Sequence, residues 1–72
     1  MEALAQAVQE ELETYGAIKS FRFKAHKDAN GIVLTGESAS FYVKALAQER
    51  AKVVIKKLGR NDCVVNHISV DK

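Results

Sequence analysis

The spacing of apolar residues changes at Gly16, Gly36 and Gly59, and these changes limit what the chain can fold into. Ahead of Gly16, Leu4, Val8, Leu12 and Tyr15 recur at intervals of four, four and three. At about 100° per residue they form one narrow stripe, which predicts an amphipathic helix. Gly16 stands where a left-handed helix cap belongs. Over residues 18–26 the period becomes two: Phe21, Phe23 and Ala25 alternate with Ser20, Arg22, Lys24 and His26. That pattern predicts a strand with its apolar face inward and a basic face outward.

The run "KDANGIVLTG" places Asp28, Asn30 and Gly31 between two strand-like segments, so a hairpin is expected, with its second strand over 32–36. Ser38 and Ser40 then offer caps for a second helix over about 40–58, closed by Gly59. On that helix Val43, Ala47, Ala51, Val54 and Leu58 share the core arc. Arg50 lies at its edge, where the stem can pack while the guanidinium reaches water. In "CVVNHISV", Val64, Asn66, Ile68 and Val70 alternate with Cys63, Val65, His67 and Ser69, which predicts a third strand over 63–70.

The order helix-strand-strand-helix-strand, with two one-sided helices and one apolar sheet face, predicts an α/β chain built as an α+β two-layer sandwich. The three-stranded sheet should be mixed, with a right-handed crossover, both helices on one face and the other face bare. Seventy-two residues, 47% hydrophobic and 28% charged, leave room for one small core and one domain, 1–72. The first twenty residues lack the apolar run of a signal peptide, and no stretch approaches membrane-spanning length.

A net charge of +2 says little, but its distribution says more. Glu2, Glu10, Glu11 and Glu13 make the first segment acidic, whereas residues 44–60 hold six basic residues against Glu49. The lone Cys63 excludes an internal disulfide.

"GIVLTGESASFYVKALAQERA" followed by "VVNHISV" resembles the BON family (bacterial OsmY and nodulation domains). The matching residues are Leu34, Thr35 and Gly36 ending a strand, Lys44, Leu46 and Ala47 in a helix, and Val64, Asn66, Ile68 and Val70 in a closing strand. Ser38 stands where the family commonly has valine, and "LGRNDCVV" is a longer connection than the usual Gly-Val. The resemblance spans nearly the whole chain and implies one domain excised from a longer bacterial protein of the envelope, periplasm or membrane surface. It also implies a non-catalytic module that binds phospholipid through the second helix and its flanks.

From the residues themselves, the candidate lipid-facing set on that helix is Phe41, Tyr42, Lys44, Lys52, Ile55 and Lys56, with Gln48 among them. Apolar and basic side chains interleaved on a helix suit an anionic bilayer. The opposing expectation is that Phe41 and Tyr42 close the base of the core and Ile55 packs on a strand. A second functional class is a protein-interaction or assembly module using the open sheet face or an edge strand.

Nucleic acid is not an expected partner: Arg22, Lys24, His26 and His67 are basic, but Phe21 and Phe23 point inward, so no stacking platform accompanies them. Nor is an enzyme expected. Cys63 and His67 share a strand face roughly 13 Å apart at 3.3 Å per residue, too far for a dyad or for joint zinc coordination with His26. The "DANG" turn lacks further calcium ligands, and the glycines match no phosphate loop. Neither a metal nor another cofactor nor a small-molecule substrate is expected. Structural roles are assigned to Asn66, which is expected to bond loop backbone near the second helix's start or end, to Gly36 as a backbone requirement where positive φ or a close helix approach excludes a β-carbon, and to Gly59 as a helix stop.

Overall fold

The first helix, α1 (Ala3–Thr14), forms where the stripe predicts it, with Leu4, Ala5, Val8 and Leu12 buried. The computed structural model describes residues 3–71. Gly16 is not a left-handed cap: its φ is not positive, and the Tyr15 carbonyl instead accepts from the Ile18 and Lys19 N–H groups at 3.0 and 2.9 Å. The strand expected over 18–26 starts only at Lys24. Before it, Lys19–Phe21 form one 3-10 turn and Arg22 adopts a left-handed φ of 57°. Parity explains the change, since a straight strand burying Phe21 and Phe23 would leave Ile18 in water. The turn lets all three reach the core, with Ile18 and Phe23 fully buried and the phenylalanine rings stacked at 5.5 Å.

Strands β1 (Lys24–Asp28) and β2 (Gly31–Thr35) form the expected hairpin, Asp28 opposite Gly31. The Asn30 N–H donates to Asp28 Oδ1 at 2.7 Å, an Asx turn that fixes the two-residue loop. The expected third strand divides in two. β2 pairs in parallel with β4 (Val64–Asn66), and β3 (Glu37–Ser38) pairs in parallel with β5 (Ser69–Val70). Ile32 lies opposite Val64 and Glu37 opposite Ser69, so the same offset of 32 residues runs through both pairings. The three-stranded sheet, ordered β1-β2-β4, is mixed as expected.

The second helix, α2 (Phe41–Lys57), is bounded by the predicted signals. Ser40 Oγ accepts from the Val43 N–H at 3.2 Å. At the other end Gly59 takes φ 69°, Gly59 N–H donates to the Lys56 carbonyl and Arg60 N–H to the Ile55 carbonyl, both at 3.0 Å. This paired closure is a Schellman motif. The buried side of α2 is Ala47, Ala51 and Ile55, with Val43, Leu46 and Val54 partly buried beside it. Leu58, expected in the core arc, is 54% exposed because the helix has already ended.

Leu4, Val8 and Leu12 of α1 join Ala47, Ala51 and Ile55 of α2, together with Phe23, Ile32, Leu34 and Ile68, in one buried cluster. Both helices therefore cover the same sheet face in a two-layer α+β fold. Arg50 ties the helices together rather than reaching into water. Its Nε and Nη2 both donate to Glu11 Oε2 at 2.7 Å, and its guanidinium lies 4.3 Å from the centre of the Tyr15 ring.

Gly36 has φ 140°, and a β-carbon there would lie 2.7 Å from Phe23 Cδ1. The close approach is therefore by Phe23 and not by a helix. Gly36→Ala is expected to cost about 1 to 3 kcal/mol. Gly16→Ala, at ordinary φ with nothing within 4 Å of the added carbon, should be neutral or stabilising by up to about 1 kcal/mol. Urea denaturation of the two variants checks the contrast.

Candidate functional site

The start of α2 is held by two serines. Ser38, buried against the core, donates from Oγ to the Ser40 carbonyl at 2.6 Å and accepts from the Ser40 N–H at 3.0 Å. Ser40 then caps the helix, so the first turn has a defined entry angle. On that turn Phe41 is 66% and Tyr42 74% exposed. Neither closes the core.

Successive helical residues lie about 100° apart, which places Phe41, Ala45, Lys52 and Lys56 within an arc of about 60° on the outward side of α2, with Glu49 and Tyr42 next to it. Phe41, Tyr42, Ala45, Glu49, Lys52 and Lys56 are all exposed. Ile55 leaves the candidate set because it is 4% exposed, and its side chain belongs to the inward seam with Ala47 and Ala51. Lys44 and Gln48 are half-buried on the flank over β4, where the Lys44 carbonyl and Gln48 Oε1 accept from Asn66. The Lys52–Glu49 pair, at 3.8 Å with both side chains largely in water, leaves Lys52 nearly as available as an unpaired lysine.

Beyond Lys52 the surface dips into a hollow of about 190 Å³ lined by Lys52, Ile55, Lys56, Arg60, Asn61 and Asp62. Arg60 holds Asp62 through Nε to Oδ1 at 2.9 Å and Nη2 to Oδ2 at 3.1 Å, and Lys27 approaches the same carboxylate at 3.6 Å. Desolvation raises the Asp62 carboxyl, but the Arg60 hydrogen bond and charge, with those of Lys27, outweigh it and hold the group below its ordinary 3.8. Lys57, in the last helical turn and exposed, extends the basic surface, while the Arg60 guanidinium is engaged by Asp62. Sequence patterning missed the hollow, since the loop after Gly59 carries no period.

Asn66 finds hydrogen-bond partners, but they come mainly from within α2 rather than from loop backbone at the helix ends. Nδ2 donates to the Lys44 carbonyl at 2.9 Å and to Gln48 Oε1 at 3.2 Å, while Oδ1 accepts from the Ile68 N–H at 3.1 Å. One amide thus joins α2 to the segment between β4 and β5.

The remaining candidates do not converge. Arg22, Lys24, His26 and His67 are exposed, but Phe23 is buried and Phe21 half-buried against the core, so no aromatic lies among them. Cys63 is an exposed free thiol. Among the described residues no helix is long and apolar enough to cross a membrane, and no three His, Cys, Asp or Glu side chains gather as metal ligands. No protein-family model, curated protein or solved structure matches the chain. Fold and surface together describe a small two-layer α+β module with an aromatic and basic face on one helix.

Asn66→Ala should cost about 1 kcal/mol or more, seen as a lowered urea midpoint, because three polar groups lose a half-buried partner. At Asp62 the expected effect is on pH dependence. A carboxyl held down by folding contributes fully above its ordinary 3.8 and loses that contribution as the pH falls toward its folded value. Wild type should therefore lose more stability than Asp62→Asn between neutral pH and about pH 3, measured by paired urea melts.

Proposed function

We propose that the protein is a non-catalytic binding module that docks reversibly on anionic phospholipid surfaces through the outward face of α2. The observation that carries this is the exposure of Phe41 and Tyr42 on the capped first turn of a helix whose outward side continues into Lys52, Lys56 and Lys57. An aromatic pair at one end suits the acyl boundary, and lysines spaced along the axis suit the headgroups. Each lysine near an anionic surface is worth about 1 kcal/mol, and each inserted aromatic adds burial on the order of 1 to 2 kcal/mol, so the sum supports weak, reversible attachment.

The BON-like residues Leu34, Thr35, Gly36, Lys44, Leu46, Ala47, Val64, Asn66, Ile68 and Val70 support the same reading. That resemblance also supports placing the module in a bacterial envelope or on a membrane surface. The docking set is Phe41, Tyr42, Lys52 and Lys56, with Lys44 at its margin and Ile55 removed.

Co-sedimentation with phosphatidylglycerol and phosphatidylcholine vesicles tests it. The protein is expected to pellet with the former, less so as salt rises. Phe41→Ser with Tyr42→Ser, and separately Lys52→Glu with Lys56→Glu, should each reduce binding about tenfold or more while leaving the fold intact, since all four side chains are exposed. Equal pelleting with both lipids, or binding indifferent to both double variants, would refute the proposal.

A further inference from the structure

The β1 edge of the sheet is capped on one rung and open on the next. Gln9 of α1 reaches over it: Oε1 accepts from the Ala25 N–H at 2.7 Å, and Nε2 donates to the Phe23 carbonyl at 3.0 Å. Its carboxamide thus supplies the two bonds a neighbouring strand would make. Backbone groups two residues apart on a strand point the same way, so where Ala25 turns its N–H away from β2, Lys27 turns both its N–H and its C=O away as well. Alongside runs a groove of about 440 Å³ between α1 and this edge, walled by Ala5, Gln6, Gln9 and Glu13 of the helix and by Lys24 and His26 of the strand. An open edge of this kind is a template for another strand.

We infer that the β1 edge pairs with the β1 edge of a second copy of this chain, antiparallel about a two-fold axis at Lys27. Register is set by what Gln9 leaves available. An axis one step nearer the strand start would set Ala25 opposite the second copy's Lys27 and need the N–H that Gln9 already holds. Centred on Lys27, the two copies exchange both N–H···O=C bonds between their Lys27 residues, and Gln9 keeps its place.

Side-chain hydrogen bonding supports the same register. On the open sheet face His26 falls beside the second copy's Asp28, and Asp28 beside the second copy's His26, so in each of the two cross-strand pairs a ring N–H can donate to a carboxylate oxygen. The two Lys27 ammonium groups are each drawn aside by their own Asp62 at 3.6 Å and the Asp28 carbonyl at 3.3 Å. A two-fold axis perpendicular to the sheet keeps all four helices in one layer, so both α2 outward faces point the same way. Two weak surface contacts then act as one stronger one. The pairing itself rests on the edge geometry and not on the lipid reading.

Sedimentation equilibrium of the whole chain from about 10 µM to 1 mM tests the pairing, with the average mass expected to rise from one chain toward two. His26→Glu sets like charges at both symmetric pairs and should weaken association about tenfold. His26→Lys keeps a partner for the second copy's Asp28 and leaves the Asp28 turn untouched, so it should keep the dimer; thermal melts check that both substitutions at this exposed position leave the fold intact. Amide exchange at Lys27 should slow as concentration rises. A monomer throughout this range, or a dimer indifferent to His26→Glu whose Lys27 amide exchanges at the same rate at every concentration, overturns the inference. A strict monomer that still pellets with phosphatidylglycerol vesicles removes the dimer and leaves the docking face.

Discussion

A three-stranded sheet that turns Ile32 and Leu34 to one side needs that side covered, and here both helices supply the cover. This burial constrains how each helix can sit. α1 must bring Leu4, Val8 and Leu12 down onto the strands, and α2 must bring Ala47, Ala51 and Ile55, so each helix keeps its polar side for solvent or for a partner. Phe41 and Tyr42 are exposed because the seam of α2 points elsewhere. The parallel pairing of β2 with β4 depends on the same burial, since only a covering crossover can return the chain alongside a strand it left 32 residues earlier.

Around that core a few polar ties decide orientation. Arg50 links Glu11 and Tyr15 across the helix pair, Asn66 links α2 to the last strands, and Gln9 links α1 to the edge of β1. Each joins elements distant in sequence, and each satisfies a polar group that burial alone would penalise. The ties act on rotation and register, where apolar contact has little directional preference. They hold α2 so that its aromatic turn and its lysines present one continuous face.

The proposed lipid face and the proposed pairing edge lie on different parts of the molecule. α2 overlies the β4 side of the sheet and α1 the β1 side, so a second copy joined at β1 would leave both α2 faces uncovered. A single module of this size has little area with which to hold a membrane. Doubling the face would strengthen attachment without any new contact within either copy.

Element order, the hairpin at Asp28 to Gly31, the Ser40 cap and the Gly59 stop were legible in the residues because each rests on local geometry: a period, a hydroxyl, or a missing β-carbon. Asn66 was legible as a polar residue among valines that must find partners. The parity of Ile18 against Phe21 and Phe23 stands in the sequence, but the chain could not disclose that a 3-10 turn resolves it, that the last strand divides, or which of the two expectations for Ile55 holds while Leu58 leaves the core. Those depend on where the sheet lies relative to each helix, since a helix wheel gives the angle between residues but not the direction of the neighbour. The aromatic turn was visible in sequence as Phe41 and Tyr42, and only the tertiary packing, by seating α2 on Ala47, Ala51 and Ile55, decided that they face outward.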